Sequence, residues 1–141
     1  MSRDLFVAEP LKTYNTLPPI VVDCSLIAAI LFNEPSQGEA LKLLSGKSLH
    51  APNLIDHEII SVAIKKAQAK AGSAVQKGLD GFRKLRLARH SVDHQAQFEL
   101  ALSQQISAYD AAYLQLAVSL NAPLATYDRV LAAAARKVLS L

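Results

Sequence analysis

Apolar residues fall along the chain in short bursts separated by longer stretches of helical period. Ile20, Val21 and Val22 form a β-branched run that stops at Asp23, the pattern of a buried strand. Residues 26–32 read as a helix, closed by Asn33, Glu34 and Pro35. Ser36, with Glu39 three residues on, has the form of a capping box opening a second helix to about Leu44. Gly46 and Lys47 turn the chain into a candidate strand at 49–51, before Pro52. Asp56 is placed to cap a long helix to about Lys70, with Ile59, Val62, Ala63 and Ala67 on one face. Gly72 and Ser73 interrupt it. A helix over 74–84, a short strand over 85–89 and a helix over 92–104 follow. Ser107 opens a further helix that ends at Asn121, a residue type that tolerates the left-handed conformation past a helix end. Residues 123–126 read as a strand, Asp128 caps a last helix over 129–137, and 138–141 is a candidate closing strand.

Short apolar strands alternating with helices predict an α/β domain with a central, mainly parallel sheet covered by helices on both faces. Residues 1–19 stand apart, with three prolines and no clear period, and read as an N-terminal arm. The domain proper is expected over 20–141.

Composition narrows the class. The 141 residues are 51% hydrophobic and 19% charged, the profile of a packed domain. The longest apolar run, 26–32, is far short of the roughly 20 residues that span a bilayer, so no membrane role is expected. The first ten residues hold no apolar core of a secretory signal, and the expected compartment is the cytoplasm. Cys24 is the only cysteine, which excludes an internal disulfide. The net charge of +3 is uneven. Residues 65–89 hold eight basic side chains and one acid, Asp80, a local net of +7 in an otherwise acidic chain. Such a stretch is either a footprint for a polyanion or a solvated helix face.

Four acids occupy similar places in the pattern. Asp23 follows the first strand, Glu58 opens the helix after the second, Asp110 lies in the first turn after Ser107, and Asp128 follows the strand ending at Thr126. Ligands of open parallel sheets bind beyond the carboxyl ends of the strands. Carboxylates gathered there need a counter-charge, and a hard divalent cation supplies one. That chemistry suits phosphodiester hydrolysis: one ion activates water and a second stabilises the leaving oxygen. Each acid also has an ordinary role, with Asp128 and Asp110 at helix caps and Glu58 at the positive end of a helix dipole. Asp23 is hardest to dismiss, because an unpaired charge ending a buried strand is costly.

The ordered segments IVVDCS (20–25), APNLIDHE (51–58), SAYDAAYLQLA (107–117) and APLATYD (122–128) resemble the motifs of PIN domains, above all the VapC-type toxins of type II toxin–antitoxin pairs. The resemblance covers about residues 20–139. It implies a PIN-like fold and a metal-dependent endoribonuclease restrained by a cognate antitoxin. It places Asp23, Glu58, Asp110 and Asp128 at the four acidic positions, as catalytic residues and ligands of Mg2+ or Mn2+. Ser25 and Thr126 fall on its hydroxyl positions, and homodimers are usual. Many relatives carry asparagine three residues after the second acid, where this chain has Ser61. RNA-contact candidates are Arg129, Lys65, Lys66 and Tyr109, the last able to stack on a base. Tyr113 is either a second stacking ring or a core or dimer contact. Cys24 reads as a packed thiol, and His50, His57, His90 and His94 as surface groups. Two rival readings are a PIN-fold protein-binding module without catalysis and a nuclease acting on DNA or structured nucleic acid.

Overall fold

A computed structural model describes residues 5–6, 17–69 and 72–140. Four strands form one sheet in the order β3-β2-β1-β4, all parallel. They are β1 (Pro19–Val22), β2 (Ser48–Pro52), β3 (Leu87–His90) and β4 (Leu124–Ala125). Two helices, α1 (Cys24–Leu31) and α2 (Gln37–Leu44), carry the chain from β1 to β2. Helices α3 (Ile55–Gln68) and α4 (Gly72–Lys84) lead to β3, and α5 (His94–Gln104) and α6 (Ala108–Leu120) return it to β4. Helix α7 (Arg129–Leu139) follows β4.

The strand order has a functional consequence. The chain steps outward from β1 to β2 to β3, then comes back to the other side of β1 to place β4. Connections leaving β1 and β4 therefore diverge, and a crevice opens beyond their carboxyl ends, the topological switch point of an open α/β sheet. Register sets the depth: Val21 pairs with His50 and Leu124, and Val22 with Ala125. Asp23 thus leaves the central strand where β4 gives way to Thr126.

Burial explains why β1 is central. Ile20, Val21 and Val22 are all buried, which suits a strand covered on both faces. Helix α6 packs on β1, β2 and β4 and buries Ala111, Ala112, Tyr113, Leu114, Leu116 and Ala117, so it is apolar nearly all round. Helices α1, α3 and α4 pack on one another. Gly78 of α4 lets that helix approach the end of α1: a Cβ there would stand 2.6 Å from the Phe32 ring and 2.9 Å from the Leu31 carbonyl oxygen.

The sequence-based elements are present, with some corrections. Residues 138–139 are not strand but the last residues of α7, because Val138 and Leu139 continue its apolar face against the core. Residue 141 lies outside the described residues. Ser36 makes no capping bond; its φ of −83° and ψ of 3° are not the extended cap geometry. Asp56 does not cap α3, which begins at Ile55; it is left free to pair with Arg89 at 2.8 Å. Strand β3 starts later than expected, since Leu85 N–H still bonds to Phe82 C=O and completes the turn that ends α4. Ser107, Asp128 and Asn121 behave as read: the first two cap α6 and α7, and Asn121 takes a φ of 50°. Most of the expected arm over 1–19 lies outside the described residues, and Pro19 itself belongs to β1. No described helix is long and apolar enough to cross a membrane.

Candidate active site

Asp23 stands at the mouth of the switch point as both the end of β1 and the N-cap of α1. It is 6% exposed, the one buried charged side chain among the described residues. Its carboxylate is held at three points. Oδ1 accepts from the Ser25 hydroxyl at 2.7 Å and from Leu26 N–H at 3.2 Å, and Oδ2 accepts from the Thr126 hydroxyl at 2.5 Å. Each hydroxyl also accepts a backbone N–H from the turn after β4: Tyr127 N–H bonds to Ser25 Oγ at 3.0 Å and Asp128 N–H to Thr126 Oγ1 at 2.9 Å. These two-way bonds join the ends of β1 and β4 side chain to backbone. Burial pushes the Asp23 carboxyl above the ordinary carboxylate range; the three donated bonds oppose it, and the charge of Asp128 adds to it.

The other three acids enter from different elements. Glu58 lies in the first turn of α3, where Oε1 accepts from the Tyr113 hydroxyl at 2.6 Å. Its pKa is raised by burial, against the Tyr113 bond, and raised further by Asp23 and Asp110. Asp110 lies in the first turn of α6; burial raises its pKa, and Asp128 and Asp23 add to the shift. Asp128 caps α7 through a bond from Leu131 N–H to Oδ1 at 3.0 Å. Asp23 and Asp110 therefore each lie within electrostatic reach of the other three acids. Among the described residues none forms an ion pair with lysine, arginine or histidine.

This donor set fits a hard divalent cation by its chemistry: carboxylate oxygens only, with net negative charge left uncompensated. Among the described residues no three His, Cys, Asp or Glu side chains are already drawn together as a closed cage. Ions that keep several waters do not require one. A hollow of about 690 Å³ lies along β4 between α2 and α7 and contains none of the four acids. Its lining, including Leu26, Leu43, Leu124 and Leu139, is mainly apolar, so size alone does not mark the site.

The remaining candidates lie on three helices, α3, α6 and α7. Arg129 begins α7 next to Asp128 and lines a hollow of about 310 Å³ with Lys137. Tyr109, beside Asp110, is 65% exposed. Ser61 is exposed on α3, one turn after Glu58. Lys65 is exposed on the same helix, whereas Lys66 pairs with Glu34 at 3.4 Å and lies over the Phe32 ring. Elsewhere in the basic stretch Arg83 pairs with Asp80 and Arg89 with Asp56. Cys24 is partly buried, its thiol pushed up to about 12 by burial and then by Glu58, Asp23 and Glu34; it is a packed thiol.

Two features escaped the sequence reading. Tyr113 is core, as one reading had it, but its hydroxyl ends on Glu58. The signal was present, since a tyrosine inside an apolar helix needs a partner for its hydroxyl. His50 and His90 do not stand as separate surface groups: their Nδ1 and Nε2 lie 2.8 Å apart across β2 and β3.

Comparisons with known proteins place the fold in a family. The PIN domain family model matches residues 20–137. Ribonuclease VapC9 of Mycobacterium tuberculosis is 37% identical over 111 residues, covering 77% of this chain and 85% of that protein. Ribonuclease VapC3 of Pyrobaculum aerophilum is 30% identical over 120 residues, covering 80% and 92%. The crystal structure of PAE2754 from Pyrobaculum aerophilum matches with a TM-score of 0.61 at 21% identity, over 87% of this chain and 88% of that one; this likeness concerns the fold. The chain belongs to the PIN-domain family, and within it to the group of VapC ribonucleases.

Proposed function

We propose that this protein is the endoribonuclease toxin of a type II toxin–antitoxin module, hydrolysing RNA phosphodiester bonds with Mg2+ or Mn2+ at the four-acid crevice. One observation supports the reading: Asp23, Glu58 and Asp110 each have their pKa raised in part by another of these acids, and among the described residues none of the four has a basic partner. A purely structural set of caps would not need to be gathered against its own repulsion. The names of the relatives supply the substrate class.

Asp23, Glu58, Asp110 and Asp128 would hold the ion. Bound there, it neutralises the carboxylates and lowers the pKa of water at the site. Asp23 is the fixed reference of the set, since its own oxygens are immobilised by Ser25, Leu26 and Thr126. Glu58 is restrained at one oxygen only. Asp110 stands in the first turn of α6 and Asp128 at the N-cap of α7. Arg129 is placed to contact a phosphate beside Asp128, and Tyr109 to stack on a base. Lys65 and Lys66 lie on α3, below Glu58, where a strand running past the crevice would meet them; Ser61 offers a hydroxyl between. Such contacts position RNA without reading its sequence.

The proposal extends to the setting. Residues 20–141 form the nuclease domain and 1–19 an arm. The protein works in the cytoplasm as a homodimer, bound by its antitoxin until released. Purified protein freed of antitoxin, incubated with a panel of labelled RNAs and a DNA control, should cut RNA with Mg2+ or Mn2+ and not with EDTA. Asp110→Asn should lose at least about a hundred-fold in rate, more than the loss of a residue that merely orients a ligand. Metal-independent cutting, or undiminished cutting by Asp110→Asn, would overturn the reading.

A further inference from the structure

Tyr113 is the largest of the fully buried side chains among the described residues, at 2% exposure. Its ring belongs to the main core. A phenylalanine would fill the same space with no polar atom to satisfy. The hydroxyl instead donates to Glu58 Oε1 at 2.6 Å, across 55 residues of sequence. Among the described residues no other side chain donates to Glu58, whereas Asp23 has two hydroxyls and a backbone N–H. Tyr113 sits three residues after Asp110 on α6, so one helix supplies an acid to the crevice and restrains a second acid that comes from α3.

Glutamate has one more rotatable bond than aspartate, and without a restraint its carboxylate samples many placements. A bond donated to one oxygen removes most of them and leaves the other oxygen with its lone pairs free. Partners of this kind orient metal ligands, and their loss typically weakens metal binding about 10- to 100-fold. We infer that Tyr113 is a positioning residue: its hydroxyl fixes Oε1 of Glu58, keeps Oε2 presented to the divalent ion, and so sets the affinity for that ion. Tyr113 is too buried to stack on RNA, which separates its role from that of Tyr109. The inference rests on the metal-dependent reading of the site given above.

The test is Mn2+ binding to the full chain, measured by calorimetry and by the electron paramagnetic resonance signal of free Mn2+. The proteins are the unaltered chain, Tyr113→Phe, Glu58→Ala and the double variant. Tyr113→Phe deletes only an oxygen, and its dissociation constant for Mn2+ should rise about tenfold. Glu58→Ala alone should weaken binding at least as much. In the Glu58→Ala background Tyr113→Phe should have no further effect, because no carboxylate remains to be positioned. The Mn2+ concentration for half-maximal RNA cleavage should shift by the same factor in Tyr113→Phe, with a smaller change in rate at saturating Mn2+. Equal Mn2+ affinity in Tyr113→Phe and the unaltered protein would overturn the inference and leave the metal-dependent reading standing. So would an equal loss in both backgrounds, which marks a packing effect. Unchanged affinity in Glu58→Ala would overturn it without relying on the Tyr113 variant. Failure of the unaltered protein to bind Mn2+ would overturn both the inference and that reading.

Discussion

Two clusters of like titratable groups sit on the same sheet, and they manage repulsion differently. At β2 and β3, His50 and His90 face each other at 2.8 Å, and Ser48 Oγ lies 2.9 Å from the other nitrogen of His50. Imidazoles can share a proton, because a neutral ring is both donor and acceptor. Burial and the neighbouring His90 lower the pKa of His50, so His50 settles the conflict by staying uncharged at neutral pH. At β1 and β4 the carboxylates do not bond to one another. Asp23, Glu58 and Asp128 are held by hydroxyls or backbone N–H groups, and the mutual repulsion remains. One cluster is electrically closed; the other is left open to a cation from outside.

Replacement of Asp23 strikes at that difference most directly. Asp23→Asn keeps the size and the N-cap but removes the buried charge, and RNA cleavage should fall at least about a hundred-fold. The same variant should be more stable than the parent in EDTA. The sign follows from the raised pKa: the folded state binds the extra proton, so its contribution to stability is present at low pH and is lost as pH rises through the raised pKa. The melting temperature of Asp23→Asn should therefore exceed the parent's by an amount that grows from pH 4 to pH 7, and saturating Mg2+ should shrink the gap. A parent that is the more stable of the two at pH 7 in EDTA would remove the idea of an uncompensated charge.

A smaller effect is expected where the staple between β1 and β4 is loosened. Thr126→Val keeps the branched shape and deletes the hydroxyl that donates to Asp23 and accepts from Asp128 N–H. Cleavage should drop about tenfold, chiefly through weaker metal affinity that added Mn2+ restores. The smallest effect belongs to the closed cluster. His50→Gln should leave cleavage within about twofold. Its pH signature is opposite to that of Asp23: with a lowered pKa, the parent's stability is present above the ordinary histidine range and is lost as pH falls through the depressed value. The difference in melting temperature between parent and His50→Gln should accordingly narrow or reverse on acidification. A parallel trend for the two variants would break the contrast.

What was legible in the sequence was local. The strand at Ile20–Val22 shows in three adjacent β-branched residues, and the caps at Ser107 and Asp128 act on N–H groups three residues away. The left-handed Asn121 needs only its own backbone. The four acids could be singled out as candidates because each lies at a strand-to-helix junction or a helix start, places that a parallel sheet tends to bring to one end. What escaped depends on partners far along the chain. Tyr113 bonds across 55 residues and His50 across 40. Ser36 and Val138 misled for a related reason: the first has the right residue type in the wrong backbone conformation, and the second a strand-like composition captured by the packing of α7.

The staple at Asp23 also bears on the order in which the protein is made. The bond between Asp23 and the Thr126 hydroxyl closes a loop of 103 residues. A chain synthesised from its N-terminus presents Asp23 early, with Ser25 and Leu26 already able to hold one of its oxygens. The other oxygen waits until β4 has been made and has docked beside β1. Closing so long a loop is slow compared with local structure, so docking of β4 belongs late in folding. The crevice therefore completes itself only when residue 126 is in place, and a growing chain that has not reached that point carries the first acid without the site.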